Sequence, residues 1–264
     1  IAPYRHVSQQ ERCATQLQFE PSHIFMAHRP RKLERRDEPC RIRLRLHRQA
    51  ARAVPHQELA TEPRRIRRYT EPQQRHGFNY WLSYGTFDEH KNPHYWDNNG
   101  NRHEPHEWSP IYEAKHAVSY ILNRNGERDS NKPFFLMVGM NPPHSPYRSL
   151  TDCMEEDYNL YAKQPLDQLL VRKNAGREMA KAESVRYYFA SVTGVDRAFG
   201  MILDALREAG LDDNTIVVFT SDHGETMCSQ NTDDPKNSPY SESMNVPFIV
   251  RYKGHITPHT DDLL

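Results

Sequence analysis

The sequence predicts an α/β fold, and three observations carry that prediction. Residues 133–139 (PFFLMVG) and 215–221 (TIVVFTS) are short apolar runs rich in β-branched and aromatic side chains, and both read as buried strands. Between them, residues 184–209 set Val185, Tyr188, Phe189, Val192, Val195, Ile202 and Leu206 on one broad face, the spacing of an amphipathic helix stopped by Gly210. Strand, long helix and strand in that order make a crossover unit with parallel strands, so both carboxyl ends fall on one edge of the sheet.

Composition bounds the rest. At 264 residues the chain can hold one large α/β domain or two small ones. The formal charge of zero removes any global electrostatic preference for nucleic acid or a membrane surface. No apolar run reaches the length of a membrane span, and no signal peptide is readable. The start at Ile1 is that of a fragment. Cys13, Cys40, Cys153 and Cys228 are scattered without C-x-x-C spacing and set neither compartment nor metal.

Taken in order, the first elements are the least ordinary. All 11 glycines lie from Gly77 onward, and residues 29–68 are crowded with Arg, Pro, His and Gln. Residues 1–68 are therefore expected to stand outside the native fold. They read as a solvated basic arm, as a polyanion-binding tail, or as translation in a shifted frame. A one-base shift of the codons behind Cys40 to Ala51 permits A-G-Y-D-C-A-Y-I-G-K-L-H. From residue 69 the composition becomes ordinary. His76-Gly77-Phe78-Asn79-Tyr80-Trp81 supplies a turn glycine and core aromatics, and residues 111–122 have helical apolar spacing before a loop at 123–131.

The strand at 133–139 leads into Met140-Asn141-Pro142-Pro143-His144-Ser145-Pro146-Tyr147, where proline on both sides of His144 excludes a regular helix. Residues 149–181 are a long mixed-charge excursion with no readable task. The strand at 215–221 ends in Asp222-His223-Gly224-Glu225, at the carboxyl end where open α/β sheets place their chemistry. Residues 246–251 form a further strand, and Pro247 confines it to a strand start or an edge. Lys236, alone, would be a solvated lysine.

Together these blocks resemble the type I sulfatases of the alkaline phosphatase-like superfamily. The matches are Asp222-His223-Gly224-Glu225 and Pro143-His144-Ser145-Pro146-Tyr147, then Lys236 with Tyr240-x-Glu242-Ser243-x-x-Val246-Pro247, and the helix segment 187–196 against Y-x-A-x-V-x-x-x-D. Residues 76–81 are similar to the family's H-G-F-D-x-W segment. D-H-G alone is weak, but four blocks in the family's order are strong. The resemblance spans about residues 69–264. It implies an alkaline phosphatase-like sheet with flanking helices, incomplete at both ends, and a partial sulfatase catalytic domain over 69–264.

The implied activity is sulfuric ester hydrolysis. A sulfate ester is an anion, so attack on sulfur needs positive groups over its oxygens. A hard divalent cation suits oxygen donors and polarises the ester. By resemblance Asp222 and His223 help to hold that metal, commonly calcium, while His144 and Lys236 contact the sulfate or help the leaving oxygen depart. The family's nucleophile is a formylglycine made from the first residue of C-x-P-S-R or S-x-P-S-R. Neither motif is present: Cys13 precedes Ala14-Thr15-Gln16-Leu17, and Phe19 stands two residues before Pro21-Ser22. The family's early pair of metal-binding aspartates and its G-K-x-H motif are also absent as written, yet G-K-L-H is what the shifted frame permits at 48–51. The expectation is thus a frameshifted sulfatase product, inactive as this chain, whose partner is a small-molecule or glycan sulfate ester. A phosphonate monoester or phosphodiester hydrolase of the same superfamily is the nearest alternative, and a non-enzymatic polyanion-binding remnant the other.

Overall fold

The computed structural model describes residues 20–28, 70–75, 77–84, 89–175 and 182–260. The chain divides into two compact units, one of residues 1–29, 88–93 and 105–264, the other of 30–87 and 94–104.

In the larger unit four strands form one sheet: β1 Glu20–His28, β4 Phe134–Gly139, β5 Thr215–His223 and β6 Phe248–Arg251, in the order β4-β1-β5-β6. The strands β2 (Tyr95–Trp96) and β3 (Arg102–His103) belong to the smaller unit. β1 runs antiparallel to both neighbours, pairing His23 with Gly139 and Ser22 with Ser221. β4 and β5 are therefore parallel to each other, as the crossover predicts, but they are not adjacent. The strand between them comes from the segment expected to stand outside the fold. The remainder of that segment, with Cys13, Cys40 and the Arg-rich stretch, lies outside the described residues. β6 pairs antiparallel with β5 at the edge of the sheet, directly after Pro247, which could not have donated to a ladder.

Two helices cover one face. α1 spans Ser109–Leu122 and α3 spans Ser184–Glu208; the short α2 at Glu155–Asn159 and α4 at Ser241–Met244 lie in the connections. α1 has proline in its first turn and ends at Asn123 in the left-handed conformation (φ 53°), whose N–H returns to the carbonyls of Ser119 and Tyr120. α3 ends at Gly210 (φ 66°), with the Leu211 N–H donating to Leu206 O at 2.9 Å. That 6→1 bond is the closure a left-handed glycine permits, and it puts the helix stop where the sequence predicts it.

Packing follows the two periods. Val195, Ala198, Ile202, Ala205 and Leu206 of α3 join Ala114, Ala117 and Ile121 of α1 over Phe134, Leu136 and Val138 of β4, Met26 of β1 and Val217 of β5. The alternate β4 residues Phe135 and Met137 are 46% and 43% exposed. The expectation of a buried strand holds for one face only: period 2 sends successive side chains to opposite faces, and the helices cover one of them.

The smaller unit contains the hairpin β2 (Tyr95–Trp96) and β3 (Arg102–His103). Its turn is organised by Asp97. One carboxylate oxygen accepts the N–H groups of Asn99 (2.8 Å) and Asn101 (2.9 Å), and the other accepts Asn101 Nδ2 and His103 Nε2, both at 3.0 Å. Burial alone would raise this carboxyl, but the bonds from His103, Asn101 and Asn99 outweigh it and hold it far below the usual carboxylate range. Ser83 bridges the hairpin through reciprocal backbone bonds with Trp96 at 3.1 and 2.8 Å. Among the described residues no helix is long and apolar enough to cross a membrane.

Candidate active site

Because β4 and β5 are parallel, the loop after Gly139 and the tip of β5 leave the same edge of the sheet. His144 lies in that loop, where its backbone N–H donates to Asn141 O at 3.0 Å. Its ring is fixed at both nitrogens. Nδ1 lies 2.7 Å from the Ser145 carbonyl, which can only accept, so Nδ1 carries the proton. Nε2 then presents its lone pair, and Lys236 Nζ lies against it at 2.5 Å. Sequence separation between the two residues is 92.

Lys236 is held by its own backbone. The Asp234 carboxylate accepts the N–H groups of Lys236 (3.0 Å) and Asn237 (2.7 Å), and these bonds lower its pKa. The stretch leading there from β5 is shaped against local preference: Met227, Cys228, Gln230 and Asn231 all have positive φ, between 47° and 60°. Non-glycine residues hold such angles only where tertiary contacts over-determine them. Those contacts are present. Thr226 donates its N–H to Pro235 O (2.8 Å) and its hydroxyl to Asp234 O (3.1 Å), and Glu225 accepts the Met227 N–H at 3.0 Å.

Asp222 and His223 are the last two residues of β5, so the strand runs two residues past its expected end. His223 Nε2 lies 3.8 Å from Asp222 Oδ2, and its Nδ1 lies 2.9 Å from Gly224 O, which assigns the proton to Nδ1 and leaves Nε2 as a donor toward a cation. Both side chains are partly exposed. The pair offers one carboxylate and one imidazole side by side, donor types that suit part of a divalent shell. It is not a whole one: a calcium ion takes six to eight oxygens. Among the described residues no cluster of three or more His, Cys, Asp or Glu side chains gathers.

The structure thus places the four sequence-derived site residues as two pairs, Asp222 with His223 and His144 with Lys236. It also shows what sequence reading missed. The excursion at 149–181 brings Arg172 and Asn174 beneath the motif: Arg172 Nη2 donates to Thr226 O at 3.2 Å, and Asn174 Nδ2 donates to Glu242 Oε1. No local signal marks either residue. Glu242 stood in a quoted motif, but only its type was legible, not its partners. Earlier in the excursion, Asp152 accepts the backbone N–H groups of Arg148 and Ser149, and its carbonyl takes bonds from Trp108 Nε1 and Ser191 Oγ. The described part of the excursion, residues 149–175, is therefore docked on α3 rather than loose.

Comparisons with known proteins identify relatives of this chain. The sulfatase family model matches residues 64–263. The chain is 71% identical over 196 residues to an endo-4-O-sulfatase of Bacteroides thetaiotaomicron, covering 74% of this chain and 39% of that protein. It is 31% identical over 190 residues to an ulvan-active sulfatase of Formosa agariphila, covering 70% and 35% respectively. A solved structure from B. thetaiotaomicron, described in connection with the metabolism of multiple glycosaminoglycans, superposes with a TM-score of 0.72 at 71% identity, over 74% of this chain and 40% of that one. The chain spans about two fifths of the length of these relatives.

Proposed function

The chain belongs to the sulfatase family, and from that premise we propose that it is the catalytic-domain portion of a sulfuric ester hydrolase acting on a glycan 4-O-sulfate. The observation that carries the proposal is the His144–Lys236 contact, which joins a cation to an oriented imidazole on the edge that also bears Asp222 and His223. The substrate class is supported by the 71% identical relative, an endo-4-O-sulfatase. The relatives named above are all sulfatases, so neither the phosphohydrolase nor the polyanion-binding alternative is favoured.

Each residue has a definable task. The Lys236 ammonium, set against His144, is a charged donor that can face the oxygens of a sulfate. His144, with Nδ1–H committed to Ser145 O, has only Nε2 to work with. Because Nε2 accepts from Lys236 and carries no proton, His144 orients the ammonium, which can pass a proton to a leaving oxygen seated beside the pair. Asp222 and His223 would hold a divalent cation, calcium by resemblance, which supplies charge neutralisation at the ester oxygens when bound. No residue of this chain stands in a formylglycine motif.

Calorimetric titration of the purified chain with 4-O-sulfated and unsulfated oligosaccharides tests the binding half. The sulfated sugar should bind more tightly, and Lys236→Ala should lose about 10- to 100-fold, the worth of a hydrogen bond to a charged group. Equal binding of both sugars would overturn the reading. Sulfate release should not occur with this chain alone, so turnover that vanishes in Asp222→Ala would overturn the inactive assignment.

A further inference from the structure

Gly224 follows the Asp222-His223 pair, and it has no room for a side chain. A Cβ there would fall 2.0 Å from the Glu242 carbonyl oxygen and 3.0 Å from its carbon. The Gly224 N–H donates to Ser243 O at 2.8 Å. The tip of β5 is therefore seated directly on the backbone of α4. Four residues cannot hold a helix in place through their own bonds, so α4 needs an anchor.

Glu242 is that anchor. It is buried, and its Oε1 accepts from Asn174 Nδ2 and, at 3.4 Å, from Gln230 Nε2, with Arg172 Nη1 at 3.9 Å. Burial alone would raise the carboxyl, yet backbone, Asn174, Arg172 and Gln230 contributions outweigh it and lower its pKa. The Arg172 side chain is only 14% exposed, and its Nη2 grips Thr226 O. Thr226 in turn is bonded to Pro235 and Asp234, and Asp234 holds the Lys236 backbone. From one buried ion pair, one arm runs through α4 to Asp222 and His223, and the other runs through Thr226 to Lys236.

We infer that Arg172, Asn174 and the buried Glu242 form a hub of positioning residues that sets the placement of the Asp222–His223 pair against the His144–Lys236 pair. The inference rests on reading those pairs as one anion and metal site. Ring resonances of labelled histidines in the purified, metal-free chain test it, with His144→Gln and His223→Gln assigning the two signals. Glu242→Gln removes the charge at nearly constant volume. Asn174→Ala removes a donor at an exposed position, and it decides the matter if Glu242→Gln does not fold.

Both variants should keep the wild-type far-UV circular dichroism while both ring signals move. Calcium affinity, read from the His223 signal, should fall about 10- to 100-fold, as expected when an outer partner of a ligand is lost. Ring signals that stay at their wild-type positions in a folded variant would overturn the hub, and movement of one ring alone would overturn its two-armed role. Calcium that moves neither ring of the wild-type chain would overturn the metal reading only, because the metal-free spectra still report the hub.

Discussion

Gly194 lies in the middle of α3, where alanine would normally be preferred by about 1 kcal/mol. The structure reverses that sign. A Cβ at Gly194 would sit 2.5 Å and 2.6 Å from two ring carbons of Trp108 and 2.9 Å from Asp157 Oδ2. Carbon atoms pack best at about 3.5–4.0 Å, so the overlap with the ring is about 1 Å. Trp108 cannot swing aside, because it is buried and its Nε1 is bonded to Asp152 O at 3.1 Å. Overpacking at an anchored ring lies toward the upper end of its usual cost, about 3 kcal/mol, and the helix gain returns about 1. Gly194→Ala should therefore destabilise by about 2 kcal/mol, a fall of about 4–8 °C in Tm. Gly200 is the internal control, being on the same helix with no atom within 4 Å of its Cβ position. Gly200→Ala should gain about 0.5–1 kcal/mol. Thermal melts of the two variants in one buffer should move in opposite directions, and a Gly194→Ala protein that melts at or above wild type would refute the packing argument.

Three further outcomes are expected. Burial pushes the Cys153 thiol up to about 12, so its peptide should stay unalkylated by iodoacetamide at neutral pH in the native protein and react once urea is added, as mass spectrometry would show. The Asp97 carboxyl titrates lower folded than unfolded, so its contribution is present above the unfolded value of about 3.9 and is lost as pH falls below it. Amide exchange at Asn99 and Asn101, corrected for intrinsic rates, should speed up on that acid side, and Asp97→Asn should remove the pH dependence; exchange that does not change there would count against it. The family match begins at residue 64, close to the composition break at 68/69, so a one-base shift of the coding sequence upstream should read through G-K-x-H, whereas stop codons throughout that frame would defeat the shifted-frame reading.

Elements with local signals were legible. The 3.6-residue period of α3, its glycine stop and the two apolar runs all survive in the structure, because each is written in neighbouring residues. The polar tips were legible for the same reason, since a crossover helix makes the flanking strands parallel and brings their ends to one edge. What escaped was long-range. β1 sits in the segment read as lying outside the fold, and its place depends on pairing with strands more than a hundred residues away. The exposed face of Phe135 and Met137 depends on which elements cover the sheet, a tertiary fact. Gly224 reads as a turn glycine, but its need comes from the Glu242 carbonyl 18 residues later.

The position of β1 also changes what sets the site. Had β4 and β5 been neighbours, ladder bonds would fix the distance between their tips at about 5 Å. With β1 between them the tips stand about two strand spacings apart, roughly 10 Å, and the sheet alone cannot bring His144 to Lys236. The 2.5 Å contact is made by two loops, one from each strand, that lean toward each other beyond the sheet. Loops of that kind are precise only where bonds to their surroundings hold them. The Asp234 turn, the Thr226 bonds and the Arg172–Glu242 pair are those bonds here, so the accuracy of the site resides in residues that sequence motifs do not single out.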